Sequence, residues 1–222
     1  ASNQLKTRFE AVINYESFYD TLVVTTLDSP DALTVAHFRD VLFDQWITST
    51  VIDCYIGLLF CEVTSKKMSV SVAITQFFDK VLEPKKAVTP ARLSRRKAKD
   101  RLMTRSTEAL LREEDYDYKK VKGWFKKLNP YGDGVKYIVI PVNACNSHWM
   151  LVYADFVTHT VTLIDSLGGE DGKWARVLKR CLEDFWKESN KKGRVMPKWK
   201  TAVYKAGESF QKDSINCGVY VM

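Results

Sequence analysis

Lys136–Asp165 reads KYIVIPVNACNSHWMLVYADFVTHTVTLID. Three runs in it, Lys136–Val142, Trp149–Phe156 and Thr160–Asp165, are rich in Val, Ile, Tyr and Trp and are separated by turn residues, which predicts three strands. If the last two pair antiparallel about Thr158, residues whose numbers sum to about 316 face each other. His148 then lies opposite the region Asp165–Gly168, and Asp155 lies opposite Val161. Asp165 is thus the acid brought to His148, and Asp155 reads as a strand-end or turn residue.

Working outward, His37–Val63 carries apolar residues at helical spacing (Phe38, Leu42, Trp46, then Val51, Ile52, Tyr55, Leu58, Leu59), with a break predicted near Thr48-Ser49-Thr50. Val70–Leu82 and Ser94–Leu111 also read as helical, with Pro84 and Pro90 marking a loop between them. Trp124–Leu128 is a short amphipathic piece before the turn Asn129–Gly134. Beyond the strands, Trp174–Trp186 returns to helical spacing, Thr201–Tyr204 reads as a strand, and Gly218–Met222 is apolar and able to continue a buried helix. Residues 1–36 read as irregular. Helices first, then a small sheet with helices beside it, give an α+β class.

The 222 residues suffice for one full core, and 12% aromatic content excludes a disordered chain. No apolar stretch approaches the roughly 20 residues of a membrane-spanning helix, and the opening residues show no secretory signal. Five widely spaced cysteines, without a CxxC pair, argue against a disulfide framework or a zinc site and fit a reducing, intracellular setting. The net charge of +7 is concentrated: Lys80–Lys127 holds 16 Lys and Arg against 7 Asp and Glu, while the other 174 residues sum to −2. That basic segment, densest at Arg92–Arg101, reads as a solvated face or insertion. The functional readings are an acidic partner, nucleic acid, or a nuclear import signal built on Lys85-Lys86 and Arg95-Arg96-Lys97.

Each of the three histidines can be weighed. His37 falls among apolar helical residues and reads as structural; His159 sits in a turn and reads as solvent-exposed. His148 opens an apolar strand beside Trp149, where it is both anchored and reachable. A carboxylate accepting from one imidazole nitrogen fixes the tautomer and leaves the other as a base. Among the cysteines, Cys54, Cys61 and Cys181 lie within helices, where a buried inert thiol is the default. Cys145 is close to His148 in sequence and competes for the role of nucleophile. Cys217 has the better setting, with turn and capping residues in Lys212–Asn216 before it and a helix after it. The positive end of a helix dipole and an adjacent imidazolium both favour a thiolate. Six residues earlier, Gln211 can offer its side-chain amide to an oxyanion.

Ile140-Pro141-Val142-Asn143, Ser147–Leu151, Ile164–Leu167, Gln211 and Asn216–Val221 together resemble the Ulp/SENP cysteine proteases, which process SUMO and related ubiquitin-like proteins and belong to the adenovirus-protease clan. The order His148, Asp165, Gln211, Cys217 and the gaps of 17 and six residues match that family's. Gln45–Asp53 resembles its Trp-Leu-Asn-Asp segment. The resemblance runs from about Val41 onward and implies a papain-like, adenain-type fold with a small mixed sheet packed between helices. It also implies a catalytic domain over residues 37–222, containing the basic segment 80–127 and following an N-terminal extension, 1–36. Trp46 and Trp149 would roof a tunnel that passes only the Gly-Gly tail of the modifier, since residues with a Cβ do not fit. Cys217 would attack the last glycine's carbonyl, His148 would protonate the leaving amine, and water would then hydrolyse the thioester. Neither cofactor nor metal is implied. The implied partner is a ubiquitin-like protein (SUMO first, NEDD8 or ubiquitin after it), handled by a monomer in the nucleus or cytoplasm.

Three departures stand out. Ser49 replaces an acidic residue that contacts the modifier in the family, and Asn216 stands where Asp is common. The chain also ends five residues past Cys217, so the resemblance implies that the C-terminal part of the domain is missing. Two alternatives stay open at this point: acyl transfer of the kind catalysed by clan-related acetyltransferases, and a non-catalytic module binding a modifier or nucleic acid.

Overall fold

The computed structural model describes residues 21–23, 33–34, 37, 46–65, 69–83, 112–144, 147–169, 171–189, 193–204 and 211–222. Their centre is a five-stranded mixed sheet, order β3-β4-β5-β6-β7, formed by β3 (Val70–Val72), β4 (Tyr137–Ala144), β5 (His148–Asp155), β6 (Thr160–Ile164) and β7 (Lys200–Tyr204). Two short antiparallel strands, β1 (Thr21–Val23) and β2 (Leu33–Thr34), precede it, where the sequence reads as irregular.

The middle of the sheet is an antiparallel meander and both flanking strands are parallel to their neighbours. Parallel neighbours need a crossover, and the crossovers carry the helices. Between β3 and β4 come α2 (Phe77–Val81) and α3 (Lys122–Leu128); between β6 and β7 comes α4 (Lys173–Ser189). Helix α4 buries Trp174, Val177, Leu178, Cys181, Leu182 and Phe185, a stripe at intervals of three and four. Those residues join Phe77, Phe78 and Phe125 from α2 and α3, and Ile138, Ile140, Met150, Val152 and Leu163 from the sheet, in the main core. The α+β reading is therefore shown by the structure.

Because strand side chains alternate, Met150, Val152 and Ala154 enter that core while Trp149 does not. Trp149 belongs to a second cluster with Ile47, Ile52 and Cys217. The cluster joins β5, the start of α1 (Ser49–Ser65) and α5 (Cys217–Val221). Of the catalytic and binding candidates, Trp149 and Cys217 belong to it.

Several expectations need correction. Val70–Leu82 is not one helix: Val70, Ser71 and Val72 pair in parallel with Tyr137, Ile138 and Val139, and only Phe77–Val81 is helical. Asp53 of α1 accepts from both the backbone N–H and the hydroxyl of Thr75, at 2.8 Å each, which ties the turn between β3 and α2 to α1. The β5–β6 register is displaced by one, with Asp155 opposite Thr160 and Ala154 opposite Val161. The connection has four residues, Phe156–His159, so its centre falls between residues and not on Thr158. Asp155 accepts from the backbone N–H groups of Val157 (2.8 Å) and Thr158 (3.2 Å), and His159 closes the turn at φ 52°. His159 is half-buried rather than exposed, edge-on to Trp199 at 5.4 Å. On α5 the side chains of Val219 and Tyr220 are exposed, so that helix is buried on one side only. The expected helix 94–111, Cys145 and the dense basic stretch Arg92–Arg101 lie outside the described residues.

Candidate active site

His148 is the first residue of β5, placed opposite Ala144 by the β4–β5 ladder. The β5–β6 ladder ends at Leu151 and Ile164, and just beyond it the His148 Nε2 meets Asp165 Oδ1 at 2.6 Å. Asp165 is 1% exposed. Its Oδ1 also accepts from the backbone N–H of Leu167 at 2.9 Å, and its Oδ2 from that of Gly169 at 2.8 Å. Gly168 at φ +73° lets the chain turn back for the second of these bonds.

An ionised carboxylate only accepts hydrogen bonds, so the Nε2–H of His148 must donate. In neutral imidazole that leaves Nδ1 with a lone pair. Nδ1 is buried and has no hydrogen-bond partner among the described residues. A buried acceptor without a partner is costly, so its presence in a folded chain calls for an explanation, of which a catalytic role is one.

Cys217 opens α5 and is 5% exposed. The turn before it is held by Asp213, whose carboxylate accepts from the backbone N–H groups of Ile215 (2.9 Å) and Asn216 (2.8 Å) and from Asn216 Nδ2 at 3.0 Å. Those donors, the Asn216 side chain foremost, lower the Asp213 carboxyl to about 2. Trp149 donates its indole N–H to the Ile47 carbonyl at 2.8 Å, which fixes its ring against the start of α1. Gly218 makes the approach of α5 possible: a Cβ there would sit 2.9 Å from Ile47 Cβ and 3.3 Å from Trp149 Cδ1.

A cleft of about 240 Å³ opens between these elements, lined by Trp46, Ile47, Thr48, Ser49, Asn143, Ser147, Trp149, Ile215 and Cys217. The two tryptophans differ: Trp149 is 5% exposed and part of the packing, whereas Trp46 is 52% exposed. Gln211 is buried, its Oε1 accepting from Ser166 Oγ at 2.7 Å and its Nε2 donating to Asp213 Oδ1 at 3.2 Å.

Residues 45–222 match the Ulp1 protease family, C-terminal catalytic domain. The chain belongs to the Ulp1 protease family. Among solved structures it is similar to the Chaetomium thermophilum Ulp1-like SUMO protease catalytic domain, at 19% identity over 100% of this chain and 76% of that one, with a TM-score of 0.66. It is likewise similar to the C-terminal Ulp1 protease domain in complex with Smt3, the yeast ortholog of SUMO, at 16% identity over 98% of this chain and 79% of that one, with a TM-score of 0.62. At these identities the likeness is one of fold, and it matches the mixed sheet flanked by helices. The Ulp1-family domain is a cysteine peptidase.

Within this Ulp1-family domain, His148 and Asp165 are in direct contact, and Trp46, Trp149 and Cys217 share one cleft. His148, Asp165 and Gln211 do not line that cleft, nor do His37, His159, Cys54 and Cys181, and no hydrogen bond joins His148 Nδ1 to Cys217. Cys181 is buried, which pushes its thiol up to about 12 and makes it inert. Among the described residues, no group of three or more His, Cys, Asp or Glu converges in a metal-ligand arrangement, and no helix is long and apolar enough to cross a membrane. Sequence reasoning missed Ser166 and the grip of Asp213 on Gln211. Nothing in the pattern links residues 166 and 211, whereas an Asp two and three residues before Ile215 and Asn216 is a recognisable turn signal.

Proposed function

We propose that this Ulp1-family domain is a thiol protease and isopeptidase that cleaves after the C-terminal Gly-Gly of a ubiquitin-like modifier, with SUMO the first candidate. The observation that carries the reading is the 2.6 Å contact of His148 Nε2 with Asp165, which leaves Nδ1 buried and unpartnered beside the residue, Trp149, that packs with Cys217. In this reading Nδ1 takes the thiol proton, and Cys217 Sγ bonds to the carbonyl carbon of the last glycine. The carbonyl oxygen becomes an oxyanion near the amide N–H of Gln211. Collapse breaks the C–N bond, and the proton on Nδ1 goes to the leaving amine. Water then gives one proton to Nδ1 and its hydroxyl to the thioester carbon, and the C–S bond breaks. The modifier leaves as an acid that ionises to its carboxylate by releasing a proton to solvent, and the proton on Nδ1 returns to Sγ. Asp165 holds the imidazole and stabilises its protonated form. Trp46 and Trp149 form the walls past which a tail without Cβ atoms threads.

Ser49 lines the cleft at the point where the family resemblance implies an acid. The rim is uncharged there, so the modifier has to be established by comparison. SUMO, NEDD8 and ubiquitin, each bearing a C-terminal electrophile, are incubated with the protein and intact mass is read, with Cys217→Ala and Cys145→Ala as controls. A SUMO adduct lost only in Cys217→Ala is expected. An adduct with NEDD8 or ubiquitin alone reassigns the modifier, and adduct loss in Cys145→Ala overturns the choice of nucleophile. Cleavage of a lysine-linked conjugate against a C-terminally extended precursor then separates deconjugation from maturation.

A further inference from the structure

Gln211 is gripped at both ends by groups of opposite hydrogen-bonding character. Asp213 is a carboxylate that only accepts, and Nε2 of Gln211 approaches its Oδ1 at 3.2 Å. A flipped carboxamide would set Oε1 against that carboxylate, acceptor facing acceptor. The orientation observed is therefore the one Asp213 permits. It places Oε1 2.7 Å from Ser166 Oγ, in a buried contact in which the hydroxyl must donate. A primary amide nitrogen carries two hydrogens, and this arrangement commits one of them to Asp213.

We infer that Ser166 and Asp213 are positioning residues for Gln211, together directing its remaining Nε2–H to the oxyanion. The inference rests on the oxyanion role proposed for Gln211 above. Ser166 follows Asp165 directly, so one turn after β6 orients both partners: Asp165 holds His148, and the next residue holds Gln211 across 45 positions of sequence. Asp213 also caps the turn leading to Cys217, which ties the amide donor to the nucleophile's own support. Without the Ser166 hydroxyl, Oε1 loses its buried partner and the carboxamide keeps only the longer contact at the surface. A donor displaced by a fraction of an ångström still allows substrate to bind but stabilises the transition state less.

The test is a double-mutant cycle on a modifier substrate with Ser166→Ala, Gln211→Ala and the pair, plus Asp213→Ala as an exposed variant that leaves the core intact. Ser166→Ala is expected to lower kcat by about 10- to 100-fold with KM within about twofold and an unchanged pH profile. Added to Gln211→Ala, it should change kcat by less than about twofold, because the group it positions is gone. Asp213→Ala should show the same coupling in part, its cap on the Cys217 turn acting independently. Wild-type kcat in Ser166→Ala, or its full effect persisting in the Gln211→Ala background, overturns the inference. A readout that needs no turnover keeps the inference distinct from the functional reading: the Gln211 side-chain amide in ¹⁵N spectra. Two well-dispersed amide protons that collapse toward free-glutamine positions in Ser166→Ala support the clamp, even in a chain that forms no Cys217 adduct. An unshifted pair removes it.

Discussion

His148 Nε2 lies 2.6 Å from Asp165 Oδ1, and the same carboxylate accepts two backbone N–H groups, from Leu167 and Gly169. Three donors therefore converge on a side chain that is 1% exposed. The arrangement makes Asp165 an acceptor by construction and fixes which imidazole nitrogen holds the proton.

Asp165→Asn keeps the size of the side chain and reverses part of its chemistry. The amide has one oxygen for three donors, and if its NH₂ faces His148 the imidazole must present Nε2 as an acceptor and carry its proton on Nδ1. The base position is then already protonated. A fall in kcat of about 10³–10⁴ is expected, the size a wrong tautomer produces in a related triad, while the domain stays folded with a loss of roughly 1–3 kcal/mol for the mispaired donors. Steady-state kinetics beside a urea titration checks both halves. Near-normal turnover in a folded Asp165→Asn protein would remove Asp165 from the mechanism.

Trp46 and Trp149 separate binding from folding. Trp149 is buried, hydrogen-bonded to Ile47 and packed with Cys217, so Trp149→Ala is expected to cost about 3–5 kcal/mol of stability and to lose activity with the cleft wall. Trp46 is 52% exposed and belongs to neither buried cluster. Trp46→Ala should leave stability within about 0.5 kcal/mol and weaken modifier binding by tenfold or more, as the loss of an exposed aromatic anchor does. Calorimetric titration of the modifier onto the Cys217→Ala background, with and without Trp46, gives the answer. A large stability loss on removing Trp46, with affinity unchanged, would make it a structural residue.

Much of the site was legible because its parts are local or coupled by a hairpin. Apolar β-branched runs marked β4, β5 and β6, and hairpin pairing alone was enough to bring Asp165 rather than Asp155 to His148. The register came out displaced by one because the spacing of apolar residues does not say whether a turn has an odd or even number of residues. The capping by Asp155 and the φ 52° of His159 decide that. Strand β3 was hidden: its three residues pair with a strand 67 positions away, and an apolar sequence from Val70 to Leu82 satisfies a helical period equally well. The Ser166–Gln211 bond and the unequal burial of the two tryptophans depend on tertiary placement alone. The Asn216 departure also acquires an explanation: an acid stands three residues earlier at Asp213 and binds Asn216 Nδ2 at 3.0 Å, so a carboxylate is retained in the same turn.

Gly218→Ala tests how closely α5 must approach the cleft wall. The added methyl would lie 2.9 Å from Ile47 Cβ, a backbone-anchored atom with little freedom to move, and 3.3 Å from Trp149 Cδ1. Helix propensity favours alanine over glycine, so any loss comes from overpacking. A destabilisation of about 1–3 kcal/mol is expected, with a raised KM as the Ile47–Trp149 wall shifts. Chemical denaturation and the Trp fluorescence spectrum report the two effects. A stabilised Gly218→Ala protein with normal KM would show that α5 is not in close contact with that wall.

The Asp213 carboxyl is lowered from 3.8 to about 2 by the donors that cap the turn before Cys217. A group whose folded-state value is depressed adds stability that is present above its ordinary value and is lost as pH falls toward the folded one. Wild type should therefore be more stable than Asp213→Asn by a constant margin from neutral pH down to about 4, and the margin should shrink toward zero as pH approaches 2. Comparing the two chains at each pH cancels the titration of every other carboxylate. Urea midpoints for both proteins, taken across that range in steps of half a unit, trace the difference directly. A margin that survives unchanged at pH 2 would assign the effect to the shape of the side chain and not to its charge. Absence of any margin at pH 7 would show that the cap contributes nothing to folding and acts only by placing Gln211 and Cys217.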